Sequence, residues 1–88
     1  MTGSYRLVIK TSAERELYVH PKEDLRRVVD RVRGLAQNQR PPGSEKLSGE
    51  ERYRIRQGDY RIVYAIDDKA RLVEIVKIGH RREVYRKK

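Results

Sequence analysis

Residues 52–64 read Arg-Tyr-Arg-Ile-Arg-Gln-Gly-Asp-Tyr-Arg-Ile-Val-Tyr, and the architecture of the chain can be worked out from them. Arginines alternate with large apolar side chains on both sides of Gly58-Asp59, which is the period-two pattern of a β-hairpin. A two-residue loop there, with glycine first as a type II′ turn prefers, pairs Arg56 with Arg61. This register gives one apolar face and one basic face, formed respectively by Tyr53, Ile55, Ile62 and Tyr64 and by Arg54, Arg56, Arg61 and Val63.

The pairing of Arg56 with Arg61 places two like charges directly opposite each other. Such cross-strand pairs destabilise a hairpin by a few tenths to about 1 kcal/mol. Arginines that alternate on an exposed strand are usually only part of a solvated face. Here three arginines share one face of the hairpin and two of them are directly opposed, which instead favours a surface that binds an anion.

The residues before the hairpin predict one strand and two helices. Residues 5–9 alternate Tyr, Leu and Ile with Arg and Val, which predicts a strand with one buried face. Thr11 or Ser12 is expected as an N-cap, with Glu14 in the capping-box spacing from Thr11, so a short helix is predicted over residues 13–18.

A second helix is predicted to begin near Pro21, which is suited to a first helical turn. His20 lies at the bend between the two helices and is expected to be structural. The apolar stripe of the second helix consists of Leu25, Val28, Val29, Val32 and Leu35.

The segment 37–48 is predicted to be a loop, because Pro41 and Pro42 remove backbone donors. After the hairpin, residues 67–70 form a turn and residues 72–78 are apolar on both faces, as in a central strand. We therefore predict an α+β domain with an N-terminal strand, a helix hairpin and a three-stranded antiparallel meander. Together the strands form a four-stranded sheet with the helices on one face.

Composition restricts the class of protein and its partners. The 88 residues are expected to form a single domain spanning residues 1–88. A net charge of +9, with 40% charged residues, makes RNA, DNA or an acidic protein tail the expected partner, and a membrane surface is less suited because no long apolar run is present. The absence of cysteine excludes disulfides and thiol chemistry and, with few histidines, argues against a metal centre. A cytoplasmic location is the simplest expectation.

The C-terminal residues 79–88 read Gly-His-Arg-Arg-Glu-Val-Tyr-Arg-Lys-Lys. In an antiparallel meander the end of the last strand lies beside the start of the strand before it, so His80 and Arg81 are expected near Arg61. Three separate pieces of chain thus bring basic and aromatic residues toward one end or face of the sheet. They are Arg54, Arg56, Arg61, His80, Arg81, Arg82 and Tyr85.

Three motifs in this order resemble the RelE family of toxin–antitoxin ribonucleases, within the RelE/ParE superfamily. They are Tyr-Arg-Ile-Arg at 53–56, Gly-Asp-Tyr-Arg-Ile-Val-Tyr-Ala-Ile-Asp at 58–67 and Ile-Gly-His-Arg-Arg-Glu-Val-Tyr at 78–85. The resemblance extends from Tyr5 to Tyr85. It implies a toxin that enters the ribosomal A site and cuts messenger RNA without a metal, by attack of the ribose 2′-OH on the adjacent phosphate.

The resemblance also implies roles for individual residues. Arg54 and Arg56 match the family's paired basic residues, and Arg61 matches its phosphate-clamping arginine. Arg81 matches a second essential arginine and Tyr85 a tyrosine near the C-terminus. At positions 54 and 56 this sequence has arginine where lysines often stand, and arginine stays protonated, so it cannot act as a general base.

Two residues remain candidates for the base that deprotonates the 2′-OH, and His80 is preferred over Tyr85. His80 is flanked by Arg81 and Arg82, whose charges favour a neutral imidazole that can accept a proton. Tyr85 is the other candidate, since surrounding cations favour the phenolate, and it could instead stack on a base of the RNA. In an alternative assignment Tyr85 is the general base and His80 is the general acid that protonates the leaving 5′-oxygen.

Additional basic residues are expected to attract RNA, namely Lys46, Arg52, Arg82, Arg86 and Lys87. The resemblance implies three partners: the ribosome, messenger RNA and an antitoxin, which we expect to cover the basic face with an acidic segment. Two other functions stay open. One is inhibition of DNA gyrase, as in ParE-like members, and the other is a non-catalytic basic module of the same fold that binds RNA or an antitoxin.

Overall fold

The computed structural model describes residues 4–47 and 51–80. Its elements in chain order are β1 (Arg6–Ile9), α1 (Thr11–Leu17), α2 (Lys22–Gln37), β2 (Glu45–Lys46), β3 (Arg52–Gln57), β4 (Tyr60–Asp67) and β5 (Leu72–His80). The predicted α+β fold is confirmed. Neither helix within the described ranges is long and apolar enough to cross a membrane.

The strands form one sheet in the order β1-β5-β4-β3-β2. β1 runs parallel to β5, while β5, β4, β3 and β2 pair antiparallel with their neighbours. β5 therefore lies between β1 and β4. This confirms the central position that was predicted from its two apolar faces.

The sheet has five strands instead of the expected four, because the segment predicted as a loop contains a short strand. Glu45 and Lys46 form β2 and pair with Arg54 and Tyr53 of β3. The prolines precede β2, as does Gly43, which has a φ of 94°. Beyond them every residue again has a backbone N–H, so the chain can add a strand to the edge of β3.

The pairing of β3 with β4 confirms the register predicted from the sequence. Gln57 pairs with Tyr60, and Arg56 pairs with Arg61. Gly58 has a φ of 61°, which an L side chain rarely adopts. Glycine at the first position of the turn thus fixes the hairpin without strain.

The first helix begins earlier than predicted. Its N-cap is Lys10, which makes no side-chain capping bond, and its first residue is Thr11. The Lys10 N–H donates to the carbonyl of Ile75 at 2.9 Å, and the Lys10 carbonyl accepts from the N–H of Glu14. Because the end of β1 is held on β5, the helix starts directly after it, and the predicted capping box at Thr11 is wrong.

The second helix agrees more closely with the prediction. Pro21 is its N-cap, and the Pro21 carbonyl accepts from the N–H of Leu25 at 3.0 Å. Within the predicted apolar stripe, Val28, Val32 and Leu35 are buried. This face of α2 packs on the sheet.

The hydrophobic core lies between the helices and one face of the sheet. On the sheet side it contains five completely buried residues, Ile62, Tyr64, Val73, Ile75 and Ile78. Tyr53 is also buried, which confirms that the predicted apolar face of the hairpin contributes to the core, and Tyr60 is buried as well. The Tyr64 hydroxyl donates to the carbonyl of Gln39 at 2.9 Å, so its burial leaves no unpaired donor.

A bulge in β5 changes the face that its last residues occupy. Residues 63 and 64 of β4 pair with residues 77 and 75 of β5, so Val76 is an extra residue. One extra residue shifts the alternation of side chains by one position. Ile78 therefore faces the core, and His80 follows on the same face.

Replacement of Ile62 by Asp tests the pairing register of β3 with β4, since Ile62 is completely buried and its neighbour Arg61 lies on the opposite, half-buried face. An unpaired charge in the core is expected to lower the free energy of unfolding by at least about 3 kcal/mol. Urea denaturation measures the change. Val63→Asp, on the opposite and half-buried face, is the control and is expected to have a much smaller effect. The reverse order would mean that the hairpin is out of register by one residue.

Candidate functional site

Three arginines converge on the face of the sheet that is turned away from the helices. Arg54 and Arg56 lie two residues apart on β3, and Arg56 is the direct partner of Arg61 on β4. With Gly43 and Glu45 they line a cleft of about 160 Å³. The structure thus brings together three of the residues that the sequence singled out. We call this group the arginine cleft.

A carboxylate that the sequence pattern did not indicate lies in the arginine cleft. Glu45 is the direct partner of Arg54, and its Oε1 accepts a hydrogen bond from Nη2 of Arg54. This bond, the charge of Arg54 and the charges of Arg56 and Arg61 lower the pKa of Glu45. The chain therefore supplies one negative charge to a surface whose arginines repel each other. A two-residue strand has no periodicity from which this placement could have been found.

The loop that leads into β2 is anchored by Arg40. Its guanidinium donates to Asp68 at 2.9 Å and to the hydroxyl of Tyr53 at 3.0 Å. It also lies 5.2 Å from the centre of the Tyr53 ring. The Tyr5 hydroxyl donates to the other carboxylate oxygen of Asp68 at 2.8 Å. These contacts connect the loop to the core and to the β4–β5 turn, so they help to hold Glu45 in the cleft.

His80 lies at the same end of the sheet as Arg61, but on the opposite face. It pairs with Tyr60, whereas Arg61 pairs with Gly79. The His80 ring centre lies 4.8 Å from that of Tyr60 and 5.6 Å from that of His20, on which it stacks. The structure thus does not bring His80 into the arginine cleft, because the bulge in β5 turns it toward the helices.

The other residues singled out by the sequence are distributed differently. Arg52 has the same alternation as Arg54 on β3, so it extends the basic face. Lys46 is the partner of Tyr53, on the alternation of the opposite face, and its Nζ lies 3.5 Å from a carboxylate oxygen of Glu51. Five of the residues singled out lie outside the described ranges, namely Arg81, Arg82, Tyr85, Arg86 and Lys87.

The chain matches a toxin family over nearly its whole length and is similar to two toxins of one organism. The family described as the ParE toxin of type II toxin–antitoxin systems, parDE, matches residues 6–85. The chain is 37% identical to Toxin RelE of Mycobacterium tuberculosis over 84 residues, which cover 93% of this chain and 87% of that protein. It is 31% identical to Toxin RelG of the same organism over 87 residues, which cover 94% and 98%.

A solved structure agrees with these relatives. One chain of the crystal structure of the toxin–antitoxin complex RelBE2 from Mycobacterium tuberculosis aligns with a TM-score of 0.80 at 30% identity. The alignment covers 92% of this chain and 95% of that chain. The protein belongs to the RelE/ParE family of type II toxin–antitoxin toxins, which confirms the resemblance seen in its motifs.

The ion-paired carboxylates of Glu45 and Asp68 are expected to make the folded state less stable in acid. The hydrogen bond from Arg54 lowers the pKa of Glu45, and those from Arg40 and Tyr5 lower the pKa of Asp68. The folded state therefore binds these protons less readily than the unfolded state. The resulting stabilisation is present above the ordinary carboxyl pKa and is lost as the pH falls from about 5 to about 3.

Urea denaturation across that pH range measures this effect. Glu45→Gln and Asp68→Asn have already lost the titrating group, so each is expected to show a weaker dependence of stability on pH than the parent. An unchanged dependence in both variants would show that these ion pairs do not stabilise the fold.

Proposed function

We propose that this toxin is an endoribonuclease that cuts messenger RNA in the ribosomal A site without a metal ion. The observation that supports it most is the arginine cleft, where Arg54, Arg56 and Arg61 share one face and two of them are directly opposed. Three permanently charged guanidinium groups suit a phosphodiester better than an apolar ligand. The net charge of +9 suits a polyanionic target as well.

The proposed reaction is attack of the ribose 2′-OH on the adjacent phosphate. The 2′-oxygen forms a bond to phosphorus as the bond to the 5′-oxygen breaks, which leaves a 2′,3′-cyclic phosphate and, once the leaving oxygen has taken up a proton, a 5′-OH. Hydrolysis of the cyclic phosphate by water then gives the 3′-phosphate. Negative charge increases on the phosphoryl oxygens in the transition state, and guanidinium groups that are already in place stabilise it. Arg61 and Arg56 hold these oxygens in the proposed complex, with Arg54 beside them.

The 2′ proton needs an acceptor, which none of the three arginines can provide because a guanidinium remains protonated. His80 packs on Tyr60, on the face of the sheet opposite to Arg61. This position favours Tyr85 over His80 as the proton acceptor. Arg81 and Tyr85, matched through the family motif, complete the proposed site.

An antitoxin with an acidic segment is the proposed protein partner. The similar RelBE2 structure is a complex of a toxin with an antitoxin. In this chain, the ion pair of Glu45 with Arg54 shows that a carboxylate can bind the basic face. An acidic segment that covers this face would neutralise the arginines and exclude RNA from the cleft.

Inhibition of DNA gyrase is the second candidate function. It is favoured by one observation, the match of residues 6–85 to the ParE toxin family. A toxin of this kind needs no cleavage chemistry. The arginine cleft would then bind its target without a reaction.

Arg61→Ala is expected to abolish or greatly reduce the growth arrest caused by the expressed toxin, because it removes the guanidinium opposite Arg56. The side chain lies on the face away from the core, so thermal unfolding should remain close to that of the parent. Arg33→Ala removes the same charge from an exposed position on α2 and is expected to leave the toxicity intact. A folded Arg61→Ala toxin that is as toxic as the parent would refute the assignment.

Tyr85→Phe removes only the hydroxyl and keeps a ring that can stack on RNA. If Tyr85 accepts the 2′ proton, single-turnover cleavage on programmed ribosomes is expected to fall by roughly 10² to 10⁴, with little change in ribosome binding. His80→Gln is the comparison and is expected to change the rate only a few-fold. The opposite ranking would identify His80 as the base despite its position behind the sheet.

A further inference from the structure

We propose that Glu45 is a built-in competitor of RNA in the arginine cleft. Its carboxylate binds Arg54 in the free toxin, and a phosphate of the RNA has to displace it. The identity of the ligand, an RNA phosphodiester, rests on the proposed function. Glu45 thereby determines the affinity for RNA and takes no part in the chemical step.

The backbone places Glu45 in the cleft. Glu45 and Arg54 are direct partners at the edge of the sheet, so their side chains emerge on the same face. The Glu45 carboxylate accepts a hydrogen bond from Nη2 of Arg54, and Glu45 lines the same cleft as Arg56 and Arg61. A phosphate that enters this cleft therefore finds the guanidinium of Arg54 already hydrogen-bonded to the Glu45 carboxylate.

Both partners of the Glu45–Arg54 ion pair are partly exposed to solvent, which makes the Glu45 carboxylate displaceable. A carboxylate and a phosphate each present oxygens to the planar donors of a guanidinium, so both ligands seek the same groups of Arg54. The side chains of Arg54 and Glu45 are 41% and 63% exposed, and ion pairs at exposed sites are weak. The Glu45 carboxylate is therefore held weakly enough for RNA to displace it, yet it lowers the affinity for RNA.

The contacts of Glu45 make it a poor proton acceptor for the 2′-OH. The hydrogen bond from Arg54 and the arginine charges lower the pKa of Glu45. A general base is most effective when its pKa lies near the working pH. A carboxylate in this environment acts better as a counter-ion than as a base.

The competition also favours one position of the RNA over others. A phosphate that contacts only Arg54 replaces one anion by another and gains little. An RNA backbone that also reaches Arg56 and Arg61 gains contacts with these two arginines. The single carboxylate of Glu45 cannot bind all three arginines at once, so it does not compete for all of these contacts. Glu45 therefore directs binding toward phosphates that lie between the opposed arginines.

Binding of a short single-stranded RNA with 2′-O-methyl groups throughout tests the proposal, because this RNA lacks the attacking hydroxyl. Glu45→Gln keeps the shape of the side chain and removes its charge. It is expected to bind this RNA about two- to fivefold more tightly than the parent, the change that one surface ion pair is worth. In an Arg54→Ala background the same substitution should have a much smaller effect.

Glu51→Gln is the matched control. Glu51 lies near the same edge of the sheet, contacts Lys46 at 3.5 Å and does not line the cleft. The substitution removes the same charge, so any gain from net charge alone appears in both variants. Equal affinities of the parent and Glu45→Gln, or equal gains in the two Gln variants, would overturn the proposal.

Cleavage assays separate this inference from the proposed function. Tighter binding by Glu45→Gln in a toxin that cuts no messenger RNA would keep the competitor role and reject the endoribonuclease. Cleavage by the parent toxin, together with an unchanged affinity of Glu45→Gln for RNA, would keep the endoribonuclease and reject the competitor role. A Glu45→Gln toxin with parental affinity and a cleavage rate about 100-fold lower would make Glu45 a proton acceptor, contrary to the proposal.

Discussion

The pairing register of β3 with β4, which opposes Arg56 to Arg61, positions both the hydrophobic core and the basic face. A shift by one residue would expose Ile55 and Ile62 and turn the arginines toward the core. Burial of each isoleucine is worth roughly 1.5 to 3 kcal/mol, whereas the repulsion of the two arginines amounts to at most about 1 kcal/mol. The core therefore fixes the register, and the opposed charges follow from it. The basic face and the hydrophobic core are two sides of one pairing.

The contacts that hold Glu45 beside Arg54 reduce the repulsion among the arginines but leave the arginine cleft positively charged. Arg40, Asp68 and Tyr53 anchor the loop before β2, and β2 then brings Glu45 to Arg54. One carboxylate beside three guanidinium groups leaves the cleft with an excess of positive charge. A site of this kind is stable in the free protein and still attractive to an anion, which is what reversible binding of a nucleic acid backbone requires.

Local signals explain what could be predicted from the sequence. The alternation around the Gly58 turn determined the register and the buried tyrosines, because period-two patterning and turn chemistry act over a few residues. β2 was missed because two residues have no period and the preceding prolines indicate a loop. The face of His80 depends on the extra residue Val76, and a run that is apolar on both faces conceals such a shift. The arginine cleft was therefore predictable in its arginines but not in Glu45, and the separation of His80 from the cleft required the pairing of β4 with β5.

Mapping of messenger-RNA ends on translating ribosomes after expression of the toxin distinguishes cleavage of RNA from inhibition of DNA gyrase. We expect cuts inside codons, with a 5′-OH on the downstream fragment and a cyclic or 3′-phosphate on the upstream fragment. Intact messenger RNA together with an accumulation of DNA breaks would contradict an RNA-cleaving site and indicate inhibition of gyrase instead.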